Sequence, residues 1–121
     1  DNFKSVNDQL GHNTGDRVIL ALASILRKET ADRQAIAGRI GGDEFGVFLS
    51  ELDSREEACQ LARAICEDFA AQGSIICSSV SCSIGIAFCP EEATSYAELA
   101  EKADSRTYAV KASGKNGFAS E

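Results

Sequence analysis

Apolar residues at Val18, Ile19, Leu22, Ala23, Ile25 and Leu26 recur at helical spacing behind Asp16 and predict a helix from about Gly15 to Lys28. The polar stretch before it, Asn7 to Gly15, carries Gly11 and Gly15 and predicts a loop. Gln34 to Ile40 and Phe45 to Leu49 read as two strands joined by the turn Gly41-Gly42-Asp43-Glu44, a hairpin with acids at its tip. Ser54 stands three residues before Glu57 in capping-box spacing, and Ala58, Leu61, Ala62, Ile65 and Phe69 draw the apolar stripe of a helix that Gly73 is expected to end. From Ser79 to Phe88, Val80, Cys82, Ile84, Ile86 and Phe88 alternate with small residues, which predicts a strand whose second face lets a helix or ligand approach. Thr94 or Ser95 caps a last helix with Tyr96, Leu99, Ala100, Ala103 and Thr107 inward, and Gly114 separates it from a short strand around Gly117 to Ala119. This order predicts an α+β fold, α/β in looser usage, with an antiparallel-rich sheet and helices over one face.

Composition narrows the possibilities. At 121 residues and 44% apolar content the chain is one domain at most, with enough material for a core that needs no disulfide or structural metal. Nineteen acidic against twelve basic residues give a net charge of -7, which excludes a broad positive surface and disfavours DNA or RNA as a partner. A small anion held at one local site is compatible with that charge. No stretch has the length of a membrane span and no secretion signal is present, so the segment reads as soluble. Cys59, Cys66, Cys77, Cys82 and Cys89 form no CxxC pair and lie far from the lone His12, a pattern of core thiols rather than of a zinc site. Such thiols fit a reducing cytoplasmic compartment, a membrane-anchored parent included. The chain opens on Asp1 and contains no Met, which predicts a segment of a longer protein.

The run Gly41-Gly42-Asp43-Glu44-Phe45, preceded by Arg39, resembles the signature of the GGDEF family of diguanylate cyclases. Asp1 to Asp8, Gly11 to Asp16, Ser83 to Ala87, Ala103-Asp104 and Lys111 to Asn116 resemble further family blocks in order and spacing, over essentially the whole chain. The resemblance implies a palm-like, ferredoxin-like nucleotide cyclase fold with a mainly antiparallel central sheet. It implies condensation of two GTP into cyclic di-GMP with release of pyrophosphate, in second-messenger signalling. Two domains would meet as an antiparallel homodimer, with Mg²⁺ or Mn²⁺ neutralising phosphate charge and an upstream sensory or receiver domain bringing them together.

Carried onto this chain, the resemblance makes Asp43 a metal ligand and Glu44 an aid to metal binding or catalysis, with Gly41 and Gly42 leaving space for phosphate. A solvated turn is the bland alternative for the same four residues. Asn7 and Asp16 match the guanine-binding positions, and an amide with a carboxylate suits a guanine edge; Asp16 alone also reads as a first-turn helix acid. Lys111 and Lys115 match the basic pair on the β- and γ-phosphates, and Lys115 puts a point charge where the family more often has the Arg fork. Phe3, Val6 and Leu10 read as packing residues, and Asp8, His12 and Asp104 as structural hydrogen-bonding groups. Arg106 and Thr107 stand where an Ala-Leu pair is usual, a change expected to alter local packing.

Two departures follow from the same register. The family's inhibitory RxxD motif falls on Asp32 and Ala35, so no product-inhibition site of that type is expected; Arg33 is one position out of register. Asp1 matches the second member of an Asp-x-Asp pair, so the chain reads as a partial domain, residues 1–121, lacking its first strand and preceding helix. As an isolated piece it is expected to be inactive, whereas the intact parent is expected to be a cyclase. The alternatives are a catalytically inactive GTP-binding regulatory module and a purely structural interaction domain.

Overall fold

The computed structural model describes residues 1–77 and 80–121. Its helices are α1 (Phe3–Leu10), α2 (His12–Glu29), α3 (Arg55–Ile76) and α4 (Tyr96–Ala112), and its strands are β1 (Ala35–Gly41), β2 (Glu44–Leu49), β3 (Ser83–Gly85) and β4 (Gly117–Ala119). The described residues are 55% helical and 16% strand. β1 and β2 pair antiparallel, β3 and β4 pair parallel, and the two ribbons are separate sheets.

This corrects the expected palm-like, mainly antiparallel central sheet. The alternation predicted from Ser79 onward is present in the sequence, but a strand also needs a partner, and β4 offers only Gly117–Ala119. Pairing therefore spans Ser83–Gly85, closed at its ends by Gly117 N donating to Cys82 O at 3.2 Å and Ile86 N to Ala119 O at 2.9 Å. Ser79 itself lies outside the described residues.

The predicted loop from Asn7 to Gly15 is helical. α1 runs to Leu10, Gly11 at φ 89° breaks the chain direction, and α2 starts at His12. The α2 stripe behaves as its spacing requires: Val18, Ile25 and Leu26 are buried, against Leu61, Ile65 and Phe69 of α3 and Val6 of α1. Phe3 packs on the edge of this cluster, while Leu10 is exposed. Ser54 Oγ caps α3 by accepting from Glu57 N, as the capping-box spacing predicts, while the returning Glu57 carboxylate accepts from Asp53 N at 3.0 Å, one residue before the cap. Gly73 does not end α3. It is buried one turn before the helix stops at Ile76, where Val80 presses so close that a side chain at 73 would collide with it.

β1 and β2 occupy the predicted hairpin. Phe45, Val47 and Leu49 turn inward onto the α2–α3 cluster, and Ile36, Ile40 and Phe48 stay exposed. The β3–β4 ribbon lies between α3 and α4. Cys82 and Ile84 face the core cluster, while Gly85 lies directly on α4, where a Cβ would meet Thr107 Oγ1 at 2.6 Å and Thr107 N at 2.7 Å. The small second face of this run thus admits a helix. Ser95 caps α4 by accepting from Glu98 N, and the face of that helix differs from expectation at one end: Tyr96 is exposed and in ring contact with Phe48, while Val110 is buried. Arg106 holds the other flank of this junction. Its guanidinium pairs with the Glu92 carboxylate and donates to Ile86 O, and the pairing lowers the Glu92 pKa to about 2.

Candidate functional site

The hairpin tip is shaped by backbone and one side chain. Gly42 adopts φ 44°, and Arg39 Nε donates to Gly42 O at 2.7 Å, holding the turn from beneath. A Cβ built on Gly41 or Gly42 would have no atom within 4 Å, so the surface over the tip is open. Asp43 and Glu44 project there, exposed and without a hydrogen bond or salt bridge among the described residues.

A second group converges on Asp1. Its carboxylate accepts from Ser81 Oγ at 2.8 Å, from Ser83 Oγ at 2.8 and 2.9 Å, and from the backbone N of Asn116 at 3.3 Å. Its backbone N donates to Ser81 O at 3.0 Å. Lys111, Lys115 and Asp43 lie within electrostatic reach of the Asp1 backbone nitrogen although 68 or more positions separate either lysine from Asp43 in the chain. Lys111 is in the last turn of α4, where the helix dipole favours a cation. Lys115 sits just beyond, in a run of left-handed residues from Gly114 to Asn116, and its Nζ donates to Asn2 Oδ1 at 2.8 Å.

Asn7 and Asp16 sit on α1 and α2, on either side of the Gly11 break. Asp16 is exposed. Asn7 Oδ1 is buried with no hydrogen-bond partner among the described residues, set against the α-carbon of Gly15. An unsatisfied buried amide oxygen costs about 1–3 kcal/mol, so this acceptor gains from any donor that reaches it.

The structure thus brings Asp43, Lys111 and Lys115 to the neighbourhood of Asp1 and places Asn7 beside the start of α2. Asp8, His12 and Asp104 are exposed, and their side chains make no hydrogen bond among the described residues. Sequence reasoning gave no part to Asn2, Ser81 or Ser83. The small residues alternating with Val80, Cys82 and Ile84 were the available signal, since a serine on that face can serve a carboxylate. Arg33, the one residue near the displaced inhibitory motif that has the right chemistry, is engaged with Glu57.

For a divalent cation the available donors are hard oxygens. Among the described residues no group of three or more His, Cys, Asp or Glu side chains is placed to hold a metal. Asp43 and Glu44 nevertheless suit Mg²⁺, which keeps several waters and commonly takes one or two carboxylates together with substrate phosphate oxygens. Asp1, by contrast, has its carboxylate occupied by Ser81, Ser83 and Asn116.

Comparison with known proteins adds an independent line. A family profile described as "Diguanylate cyclase, GGDEF domain" matches residues 1–117. The diguanylate cyclase TpbB of Pseudomonas aeruginosa is 39% identical over 116 residues, covering 92% of this chain and 26% of TpbB, so the chain spans about a quarter of that relative's length. The crystal structure of the TpbB GGDEF domain is similar at a TM-score of 0.84 and 34% identity, over 98% of this chain and 74% of that one. The GGDEF domain of DgcB from Caulobacter crescentus, solved in complex with c-di-GMP, gives a TM-score of 0.78 at 30% identity over 98% of this chain and 71% of that one. No helix among the described residues is long and apolar enough to cross a membrane. With the profile covering 117 residues and the signature seated at the hairpin tip, the chain belongs to the GGDEF family of diguanylate cyclases.

Proposed function

We propose that residues 1–121 act as a cytoplasmic diguanylate cyclase domain that condenses two GTP into cyclic di-GMP and releases pyrophosphate, as part of a longer signalling protein with an upstream sensory or receiver domain. The observation that supports this reading best is the Gly41-Gly42-Asp43-Glu44 signature at the tip of the β1–β2 hairpin, where both acids are exposed beneath open space that a metal-bound triphosphate could enter.

In this reading Asn7 and Asp16 hold the guanine edge. The Asn7 Oδ1, without a hydrogen-bond partner among the described residues, supports that role, because a guanine edge supplies N–H donors. Gly41 and Gly42 let phosphate approach the hairpin backbone, and the open space over both glycines supports this. Lys111 and Lys115 bind the β- and γ-phosphates as point charges. Asp43 and Glu44 would hold Mg²⁺ or Mn²⁺, which would supply neutralisation of the phosphate charge. Two domains face each other antiparallel, so that the 3'-hydroxyl of the nucleotide on one lies in line with the α-phosphate of the nucleotide on the other. The inhibitory product site of the RxxD type is lost at Asp32 and Ala35, and the Arg33–Glu57 pair leaves that arginine committed elsewhere.

A GTP-binding regulatory module without turnover is the second reading, and the commitment of Lys115 Nζ to Asn2 is the observation that favours it. Titration calorimetry with GTP and Mg²⁺, run beside a turnover assay on the same full-length protein, separates the two. Binding with turnover supports the cyclase, binding without turnover supports the module, and absence of binding overturns both. Asn7→Ala combined with Asp16→Ala should weaken binding, whereas Asp43→Ala should stop turnover.

A further inference from the structure

Two thiols outside this site are held face to face. Cys66, on the inner side of α3, and Cys82, immediately before β3, bring their sulfurs to 3.7 Å. Cys66 is buried and Cys82 half-buried, and both are free thiols. The surrounding backbone fixes them there. The Cys66 thiol faces Cys82 O at 3.8 Å and Gly117 O at 3.5 Å, and Gly117 N donates to Cys82 O, so helix and ribbon are in register at this point. Cys59 meets Ser120 Oγ instead, and Cys89 is exposed.

The pair is asymmetric. The Cys82 S–H is directed at the Cys66 sulfur; that bond favours the thiolate at Cys66, and together with burial it raises the Cys82 pKa. One sulfur is thus the better nucleophile and the other carries the proton. A disulfide requires the sulfurs to approach to about 2 Å from the 3.7 Å at which they stand.

From this geometry we infer that Cys66 and Cys82 form an oxidisable dithiol that a hydroperoxide closes into a disulfide tying α3 to the β3–β4 ribbon. The Cys66 thiolate attacks the terminal peroxide oxygen, the O–O bond breaks, and the departing alkoxide or hydroxide takes a proton, leaving Cys66 as a sulfenic acid. The Cys82 sulfur then attacks the Cys66 sulfur and displaces its hydroxyl, which leaves as water with the Cys82 proton. Two thiols and one hydroperoxide give one disulfide, one alcohol (water when the oxidant is hydrogen peroxide) and one water. The sulfurs lose two electrons and the peroxide gains them. Because Ser81 and Ser83, which hold Asp1, flank Cys82, the new bond fixes the strand segment that carries this contact.

The test treats the reduced protein with hydrogen peroxide, blocks remaining thiols, and digests it with trypsin and an Asp/Glu-specific protease. Expected are a thiol titre that falls by two and a Cys66–Cys82 cross-linked peptide lighter by two hydrogens, restored by a dithiol reductant. In Cys82→Ser the sulfenic acid at Cys66 should persist and react with dimedone, whereas in the unmodified protein it should not accumulate. Circular dichroism of the variant checks that it is folded, and the cross-link in the unmodified protein tests the inference without it. Oxidation confined to Cys89, a cross-link through Cys59 or Cys77, or no loss of thiols at Cys66 and Cys82 would overturn the inference.

Discussion

Asn7 and Gly15 fit as a side chain and the notch that receives it. The buried Asn7 Oδ1 lies against the Gly15 α-carbon, and a methyl group built there would overlap that oxygen and come to 2.9 Å from Asn7 Cγ. Gly15 sits inside α2 with an ordinary helical backbone, so its presence answers to the amide and not to a turn.

Gly15→Ala is therefore expected to act against its helix propensity. Alanine in a helix interior is favoured over glycine by about 1 kcal/mol, whereas forcing a methyl into a packed contact costs about 1–3 kcal/mol. Urea unfolding should show a net destabilisation, and GTP titration should show weaker binding as Asn7 is displaced. An unchanged affinity with raised stability would remove Asn7 from the nucleotide site.

Gly85→Ala tests the junction of β3 with α4. The added methyl meets Thr107 Oγ1 and Thr107 N at 2.6 and 2.7 Å, and backbone cannot rotate away as a side chain can. Overpacking of this kind costs about 1–3 kcal/mol. Thermal unfolding should show a lower midpoint, and Thr107→Ala should not rescue it fully, because the helix backbone remains in the way.

The Arg106–Glu92 pair predicts a pH dependence. Pairing lowers the Glu92 pKa to about 2 from the ordinary 4.5, so the folded state binds this proton less readily than the unfolded chain. The stabilisation is fully present above the ordinary value and is lost as pH falls from there through about 2. Arg106→Met should lower stability at neutral pH and flatten this part of the acid limb, measured as urea midpoints across that range. An acid limb identical to that of the unmodified protein would show that the pair contributes nothing to it.

Helices α2, α3 and α4 and the hairpin were legible because their signals are local, whereas α1 was not, its second half having the polar composition of a loop. The α3 stripe from Ala58 to Phe69 is buried as its spacing requires, and the Ser54 cap and the hairpin from Ala35 to Leu49 stand where turn and cap chemistry put them. What local pattern could not supply was partnership between distant segments. The alternation around Ile84 announces a strand, yet the length of that strand is set by the three residues of β4 that pair with it, and the expected continuous antiparallel sheet does not form. Two glycines misled for a similar reason. Gly15 and Gly73 look like helix breakers, but each sits within a helix because another chain segment, Asn7 or Val80, needs the space of a side chain. In the site, Asp43, Glu44, Lys111 and Lys115 were singled out by resemblance to the family blocks, whereas the clamp of Asp1 by Ser81 and Ser83 joins residues 80 or more positions apart and no periodicity announces it.

The most direct measurement of the cyclase reading is product formation. Full-length protein incubated with GTP and Mg²⁺, with the nucleotides separated by chromatography and identified by mass, should yield cyclic di-GMP and pyrophosphate, with a rate per domain that rises with protein concentration as antiparallel pairs form. Asp43→Asn should abolish that product while leaving urea stability within about 0.5 kcal/mol, because the exposed carboxylate makes no hydrogen bond or salt bridge among the described residues. Unchanged GTP after prolonged incubation, beside a diguanylate cyclase that is active under the same conditions, would contradict the account, as would an Asp43→Asn variant that retains full activity.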